Sequence, residues 1–506
     1  METPGERPAI FRIHAADNVA VALRDLRGGE ELSLDGTALR VREDIPQGHK
    51  IALRDIGAGE NVRKYGLSIG AASQPARAGS WIHVHNLRTL LTEDPVYTWR
   101  GESRENSSPA PDPPNFRVYR RPDGQTGIRN EIWIIPTVGC VNQTALALAR
   151  WADAELCAAT DAGRIDGVYA WTHPYGCSQL GEDHEATRNI LRGLARHPNA
   201  AAVLVLALGC ENNTLEGFKE LLGPCAEGRM AFLSCQDCDD EMAKGKRLLV
   251  RLGNYARKAR REQTGPEGLI LGLKCGGSDG LSGITANALV GRICDCFCTW
   301  GAGAILTEVP EIFGAERILL DRCKSREVFD RTVFMIENFK TYYRSQGQVI
   351  YENPSPGNKA GGISTLEEKS CGCVQKGGHS PILGVCRYGE QVRGPGLTLL
   401  EGPGNDMVST TALTAAGAQL ILFTTGRGTP LGAPAPVIKI ASNTGLARRK
   451  SGWIDFDAGR LLTENGDQVQ AELLRLIAAV VSGDVKTRGE EQGCREIAIF
   501  KNGITL

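Results

Sequence analysis

The chain has 506 residues, 42% hydrophobic and 23% charged, an ordinary globular balance that excludes a disordered or collagen-like protein. At roughly 150 residues per domain, that length predicts about three domains. Its 58 basic and 59 acidic side chains leave a formal net charge of -1, so no global field draws it to nucleic acid or an anionic membrane, and a small-molecule partner is expected.

The opening METPGERPAIFRI lacks a basic stretch leading into an apolar run, and no segment approaches a membrane span, which predicts a soluble, cytoplasmic protein. From residue 10 the short runs VAVALRDL, KIALRDI and WIHVHNL are separated by RGGEE, PQGHK and RAGS, the pattern of a compact β domain over 1–92. His83 and His85 are two apart in WIHVHN. On a strand both face one way and could share a metal with a third ligand such as His14 or His49. TEDPVYTWRGESRENSSPAPDPPNF is rich in Pro, Ser and charge and predicts an exposed linker over 93–115.

Beyond residue 116, near-continuous apolar runs of strand length alternate with helical segments such as 182–197 and 239–261. That rhythm predicts an α/β fold with a mostly parallel sheet, divided into domains over 116–390 and 391–506. The runs GVYAWTH, VLALGC, GLKC, AILTEV, LLEG and LFTTG each lead into a polar or glycine-rich cluster. Those clusters fall just past the carboxyl ends of strands, where ligands bind in open α/β sheets.

His173 and Cys177 in THPYGCSQ, Cys210 and Glu211 in LGCENN, Cys275 and Asp279 in KCGGSDG, and Glu308 in TEVPE could together form a metal site or an acid–base pair. GGSDGLSG lacks the Lys-Ser/Thr ending of a phosphate loop, which argues against nucleotide binding. Arg427 in TTGRGTP and Lys359 in NPSPGNKAGG are cations suited to an acidic substrate. Sixteen cysteines are too dilute for a disulfide framework, and Cys235, Cys238, Cys294, Cys296 and Cys298 read as structural or incidental thiols.

The segments IHAADNVAVALRDL, PQGHKIALRDI, IHVHN, PTVGCVN, YGCSQLGEDH, CGGSDGLSGITAN, TEVPEIFGAE, YENPSPGNKAGGI, FTTGRGTP and WIDFDAG resemble the UxaA family of sugar-acid dehydratases. The resemblance runs from about residue 10 to the C-terminus. It implies an N-terminal β-clip domain of the SAF type, then a large α/β region whose C-terminal part is Rossmann-like. It also implies an iron(II)-dependent hydro-lyase, with manganese as the alternative ion, converting D-altronate to 2-dehydro-3-deoxy-D-gluconate in hexuronate catabolism. Galactarate and sulfolactate are the alternative substrates within the family, and a non-catalytic sugar-acid sensor is the reading from another class. Homo-oligomerisation is left open.

On this basis His14, His83 and His85 are first-choice metal ligands with His49 close by, and Cys177, Cys210 and Cys275, with Glu211, are the alternative. His173, Glu211, Asp279 and Glu308 are the acid–base candidates; Lys359, Arg427 and Asn358 are the substrate-binding ones. Cys140, Cys177, Cys210 and Cys275 fall on the family's motifs, whereas Cys238, Cys294, Cys296, Cys298 and Cys371 do not, which argues against an iron–sulfur cluster.

Overall fold

The computed structural model describes residues 8–91, 95–101, 110–157, 164–351 and 353–503. The N-terminal β domain is built from short antiparallel strands. Ile10–Phe11, Val19–Ala22, Lys50–Ala52 and Trp81–Ile82 form one sheet, and Asn61–Lys64, Leu67–Ala72 and Leu87–Arg88 another. A hairpin pairs Glu31–Leu34 with Thr37–Arg40. Its two turn residues, Asp35 and Gly36, both have positive φ (51° and 77°), the backbone that an Asp-Gly hairpin turn requires. Two small apolar clusters, one around Ile51 and one around Ile69 and Ile82, fill the domain.

The domain is locked to the rest of the chain by charge. Lys50 Nζ donates to Glu368 Oε2 (2.8 Å), Gly362 O and Ser364 Oγ, and Lys64 Nζ donates to Glu368 Oε1 (2.9 Å). All three charged side chains are at most 2% exposed. Beside them the backbone of Gly48 touches the loop at Gly280 so closely that a Cβ there would lie 1.9 Å from Gly48 O. The described parts of the expected linker are anchored rather than free. Tyr97 Oη donates to Glu316 Oε1, Trp99 packs edge-on against Phe329, and Pro111 O accepts from Trp300 Nε1. The aromatic side chains hold a segment whose polar composition predicts exposure; residues 92–94 and 102–109 lie outside the described residues.

The large region contains two parallel sheets. The first runs in the order Gly167–Ala170, Glu131–Pro136, Ala200–Ala207, Met230–Ser234. The second has seven strands, in the order Ile382–Cys386, Gly396–Leu400, Gly303–Leu306, Ile270–Cys275, Leu420–Thr425, Val437–Ala441, Phe456–Asp457. Strands such as AAAVLVLA and LILFTT are buried along their whole length, which is why they read as unbroken apolar runs. Trp133 and Val203 of the first sheet share one apolar core with Ile421 and Phe423 of the second. Helices Gly181–Arg196 and Asp406–Ala415 pass between, close enough that a Cβ on Gly193 would lie 2.4 Å from Ala415 O.

The division expected at 390/391 falls between Ile382–Cys386 and Gly396–Leu400, which are hydrogen-bonded neighbours. The chain instead leaves the first sheet after helix Glu241–Ala256 and enters the second at Ile270. The loop at 390 mimics a boundary because it is glycine-rich and polar, yet it is only a turn within one sheet. No helix among the described residues is long and apolar enough to cross a membrane.

Burial alone would raise the Glu368 carboxyl, but the ammonium groups of Lys50 and Lys64 outweigh it and hold it at about 2. A folded value below the unfolded one gives stability that is present above the ordinary carboxylate range and is lost as pH falls through about 2. Glu368→Gln leaves two buried ammonium groups facing a neutral amide and is expected to cost about 3–5 kcal/mol in chemical denaturation. Glu464→Gln, in an exposed pair with Arg460, is expected to leave the denaturation midpoint nearly unchanged.

Candidate active site

The carboxyl edge of the seven-stranded sheet opens into a cleft of about 520 Å3, lined by Gly276, Glu311, Tyr342, Asn358, Lys369 and Asp406 among others. Below its floor lies a buried polyion. Lys274 Nζ pairs with Glu308 and, at 2.8 Å, with Asp406. Glu308 Oε2 accepts from the Cys275 N–H (3.0 Å) and from Lys376 Nζ (3.0 Å). Lys376 Nζ also donates to Cys275 Sγ at 2.8 Å, and Lys369 Nζ pairs with Glu311 Oε1 at 2.9 Å. The other Glu311 oxygen accepts from Cys373 Sγ at 2.9 Å and lies 3.2 Å from Cys275 Sγ, while the two sulfurs are 3.4 Å apart.

Three ammonium groups thus face three carboxylates, so the polyion is neutral while both thiols keep their protons. Burial works against charge at Glu311, yet Lys369, Lys274 and Lys376 hold its carboxyl well below the usual range. The hydrogen bond from Cys275 and then burial push the Cys373 thiol well up. Glu308 sits just past its strand with φ of 74°, a left-handed backbone that costs of order 1–3 kcal/mol and clusters at functional sites. The 3-10 turn Val309–Glu311 then brings Glu311 to the cleft. Cys275, Glu311 and Cys373 are the one group of three ligand-type side chains, among the described residues, whose donor atoms lie within 4.8 Å of one another.

The same edge holds the expected Cys275, Asp279, Glu308, Asn358 and Arg427. Asp279 accepts from Ser282 Oγ, Ser442 Oγ and Asn443 Nδ2 at 2.8–3.0 Å, which ties its loop to the sheet. Asn358 is buried, donates to Ser278 O and accepts from the Ser355 N–H, closing a helix start. Arg427 lies exposed over Gly277, and Lys359 is exposed on the short helix Pro356–Ala360.

Three models cover the chain: the altronate/galactarate dehydratase SAF domain over residues 8–90, the D-galactarate dehydratase/altronate hydrolase second domain over 118–257, and the D-galactarate/altronate dehydratase C-terminal domain over 267–505. Altronate dehydratase of Escherichia coli (strain K12) is 48% identical, the match covering 98% of this chain and 99% of that one. The Bacillus subtilis (strain 168) altronate dehydratase is 47% identical, covering 98% and 100%. The chain belongs to the D-galactarate/altronate dehydratase family. A third member, galactarate dehydratase (L-threo-forming) of Escherichia coli (strain K12), is 33% identical over 99% of this chain and 98% of its own.

Other expected residues of this family member lie elsewhere. His173 and Glu211 belong to the four-stranded sheet. His173 Nδ1 accepts from the Tyr175 N–H, so Nε2 carries the proton and donates to Pro136 O (2.9 Å). Glu211 accepts from Thr137 Oγ1 and from the Leu208 and Gly209 N–H groups. Their hydrogen bonds fix the loops at the edge of that sheet, apart from the residues that line the cleft. Cys177 and Cys210 are exposed on that sheet whereas Cys275 is buried on the other, so the expected Cys177–Cys210–Cys275 set is divided.

Nor do His14, His83 and His85 gather. The strand stops at Ile82, and residues 83–86 form a turn closed by the Asn86 N–H donating to His83 O, so the alternation argued from WIHVHN does not hold. His83 is buried and His85 exposed, while His14 is exposed and accepts from the Ala16 N–H. His49 faces His83 with ring centres 4.9 Å apart, accepts from Trp81 Nε1, and has Ser364 against its neighbour's Nδ1.

Sequence reading missed Lys274, Glu311, Lys369, Cys373, Lys376 and Asp406. One signal was available: Lys369, Cys373 and Lys376 recur at i, i+4 and i+7 in KSCGCVQK, one face of the helix Leu366–Cys373 and the turn that continues it.

Burial, then Lys50, pushes both His49 and His83 down to about 4. Between about pH 6.5 and 4 the unfolded chain takes up protons that these rings refuse, so stability falls as pH drops through that window. Denaturation midpoints at pH 7 and pH 5 should differ less in His83→Asn than in the parent chain.

Proposed function

We propose that this chain dehydrates D-altronate to 2-dehydro-3-deoxy-D-gluconate, using divalent iron with manganese as the alternative ion. The observation that carries the reading is the buried lysine–carboxylate–thiol cluster under an open polar cleft; the full-length likeness to two altronate dehydratases supports the substrate.

The residues present fit a divalent ion. With metal–sulfur bonds near 2.3 Å and metal–oxygen bonds near 2.1 Å, a tetrahedral site has edges of about 3.8 Å between sulfurs and about 3.6 Å from sulfur to oxygen. The corresponding separations here are 3.4, 3.2 and 2.9 Å, so Cys275, Cys373 and Glu311 would need to open by less than an ångström. Losing both thiol protons would leave the cluster two negative charges to balance a dication. A bound ion would supply Lewis acidity toward the substrate carboxylate and hydroxyl.

The C2 proton of a 2,3-dihydroxy acid is weakly acidic because the adjacent carboxylate is already negative. Cationic surroundings are therefore the main requirement. Lys369 and Lys274 provide them at the cleft floor. Asp406, whose side chain is 37% exposed and paired with Lys274, is the carboxylate placed to take the C2 proton. Lys369, half committed to Glu311, donates to the departing C3 hydroxyl. The enol released then becomes the 2-keto acid. Arg427 and Lys359, exposed at the rim, attract the anionic substrate.

An anaerobic assay offering altronate, galactarate and sulfolactate, with and without chelator, tests the reading. Altronate turnover should exceed galactarate turnover by at least about tenfold, a ratio worth about 1.4 kcal/mol, and should vanish with chelator and return with iron(II). Preferential galactarate turnover, or metal-independent activity, defeats it. Asp406→Asn should lower kcat by about 10^2–10^4 with KM little changed, and Cys373→Ser should lower bound divalent metal.

A further inference from the structure

We infer that the carboxyl edge of the four-stranded sheet is a second cofactor site, at which Cys140, Cys177 and Cys210 ligate an iron–sulfur cluster. Three adjacent strands feed it. Cys177 follows Gly167–Ala170, Cys140 follows Glu131–Pro136, and Cys210 follows Ala200–Ala207. Cysteine is among the most buried residue types, yet these three thiols are exposed, and of the other thirteen only Cys225 is.

Their loops are bound to one another. The Gly139 N–H donates to Tyr175 O (2.8 Å), the Asn213 N–H to Gly176 O (3.1 Å), and the Ser178 N–H to Asn212 Oδ1 (2.8 Å). Each of these contacts lies within three residues of a ligand cysteine. His173 and Glu211 brace the same loops. Two polar side chains in them are buried without a partner: Gln179, 2% exposed, leaves Nε2 free, and Asn213, 1% exposed, leaves Oδ1 free. An amide donor of this kind is what tunes a cluster's sulfurs.

The three sulfurs do not form a group within 4.8 Å of one another, so they do not fit one ion; a cluster spreads its thiolates over separate irons. The neighbouring Cys238 Sγ donates to Ser234 O and Cys235 O, which turns it back onto its own loop. Three protein thiolates leave one iron of a four-iron cluster open to an oxygen ligand. This reverses the expectation drawn from the family's motifs, and it does not rest on the dehydratase reading.

The test uses the full chain, reconstituted under argon with iron, sulfide and a thiol reductant, then desalted. Bound acid-labile sulfide and a visible sulfur-to-iron charge-transfer band that dithionite bleaches are expected. Cys140→Ser, Cys177→Ser and Cys210→Ser should each lose more than half of the sulfide, and Cys225→Ser none. Circular dichroism of each variant verifies that it is folded. Cys373→Ser, which alters the divalent site on the other sheet, should keep its sulfide, so failure of one site is distinguishable from failure of the other. Absence of sulfide from the reconstituted parent chain, or full sulfide in all three folded variants, overturns the inference.

Discussion

Three ammonium groups at Lys274, Lys369 and Lys376, all shielded from water, would each cost several kcal/mol if left alone. That constraint organises the carboxyl edge of the seven-stranded sheet. It requires Glu308 and Glu311 from one segment, where a left-handed residue leads into a 3-10 turn, and Asp406 from another. It also makes the cluster responsive: with every charge paired, a proton or a metal added to any member shifts the balance of all. A site that must stabilise a developing dianion gains from such preorganised charge, since no solvent has to reorient when the charge appears.

Helix Leu366–Cys373 joins this cluster to the β domain. All eight of its residues are buried. Glu367 accepts from Thr89 Oγ1 and the Leu90 N–H, Glu368 from Lys50 and Lys64, and Lys369 turns to Glu311. Three consecutive charged side chains therefore serve three different partners. The β domain fixes the position of a helix that itself supplies Lys369 and Cys373 to the cleft floor.

The legible parts of the sequence were those governed by local period. Unbroken apolar runs marked the parallel strands, and the polar clusters after them marked the ligand-binding edge, because both follow from burial on two faces of a sheet. The illegible parts were those where tertiary pairing overrode composition. LEEKSCGC looks like a solvent-exposed helix and is buried because its charges are paired across domains. WIHVHN alternates like a strand, yet a hydrogen-bonded turn begins at His83 and leaves His83 buried and His85 exposed, both rings packing against Trp81. Cys275 resembled Cys177 and Cys210 in following a strand into a glycine-rich loop, but sequence alone does not say which strands share a sheet.

That last distinction separates the two cofactor sites proposed above. Cys275 and Cys373 at the seven-stranded sheet are buried, 3.4 Å apart and beside lysines; Cys140, Cys177 and Cys210 at the four-stranded sheet are exposed, do not all lie within 4.8 Å of one another, and have unpartnered amides in their loops. A compact donor set beside ammonium groups favours a single hard-to-exchange ion whose charge offsets lost thiol protons. A wider, exposed set favours a cofactor that brings its own bridging sulfide and keeps a coordination position open. The two arrangements differ because the strands behind them differ: one edge is covered by the β domain and a buried helix, whereas the other leaves its three thiols open to solvent.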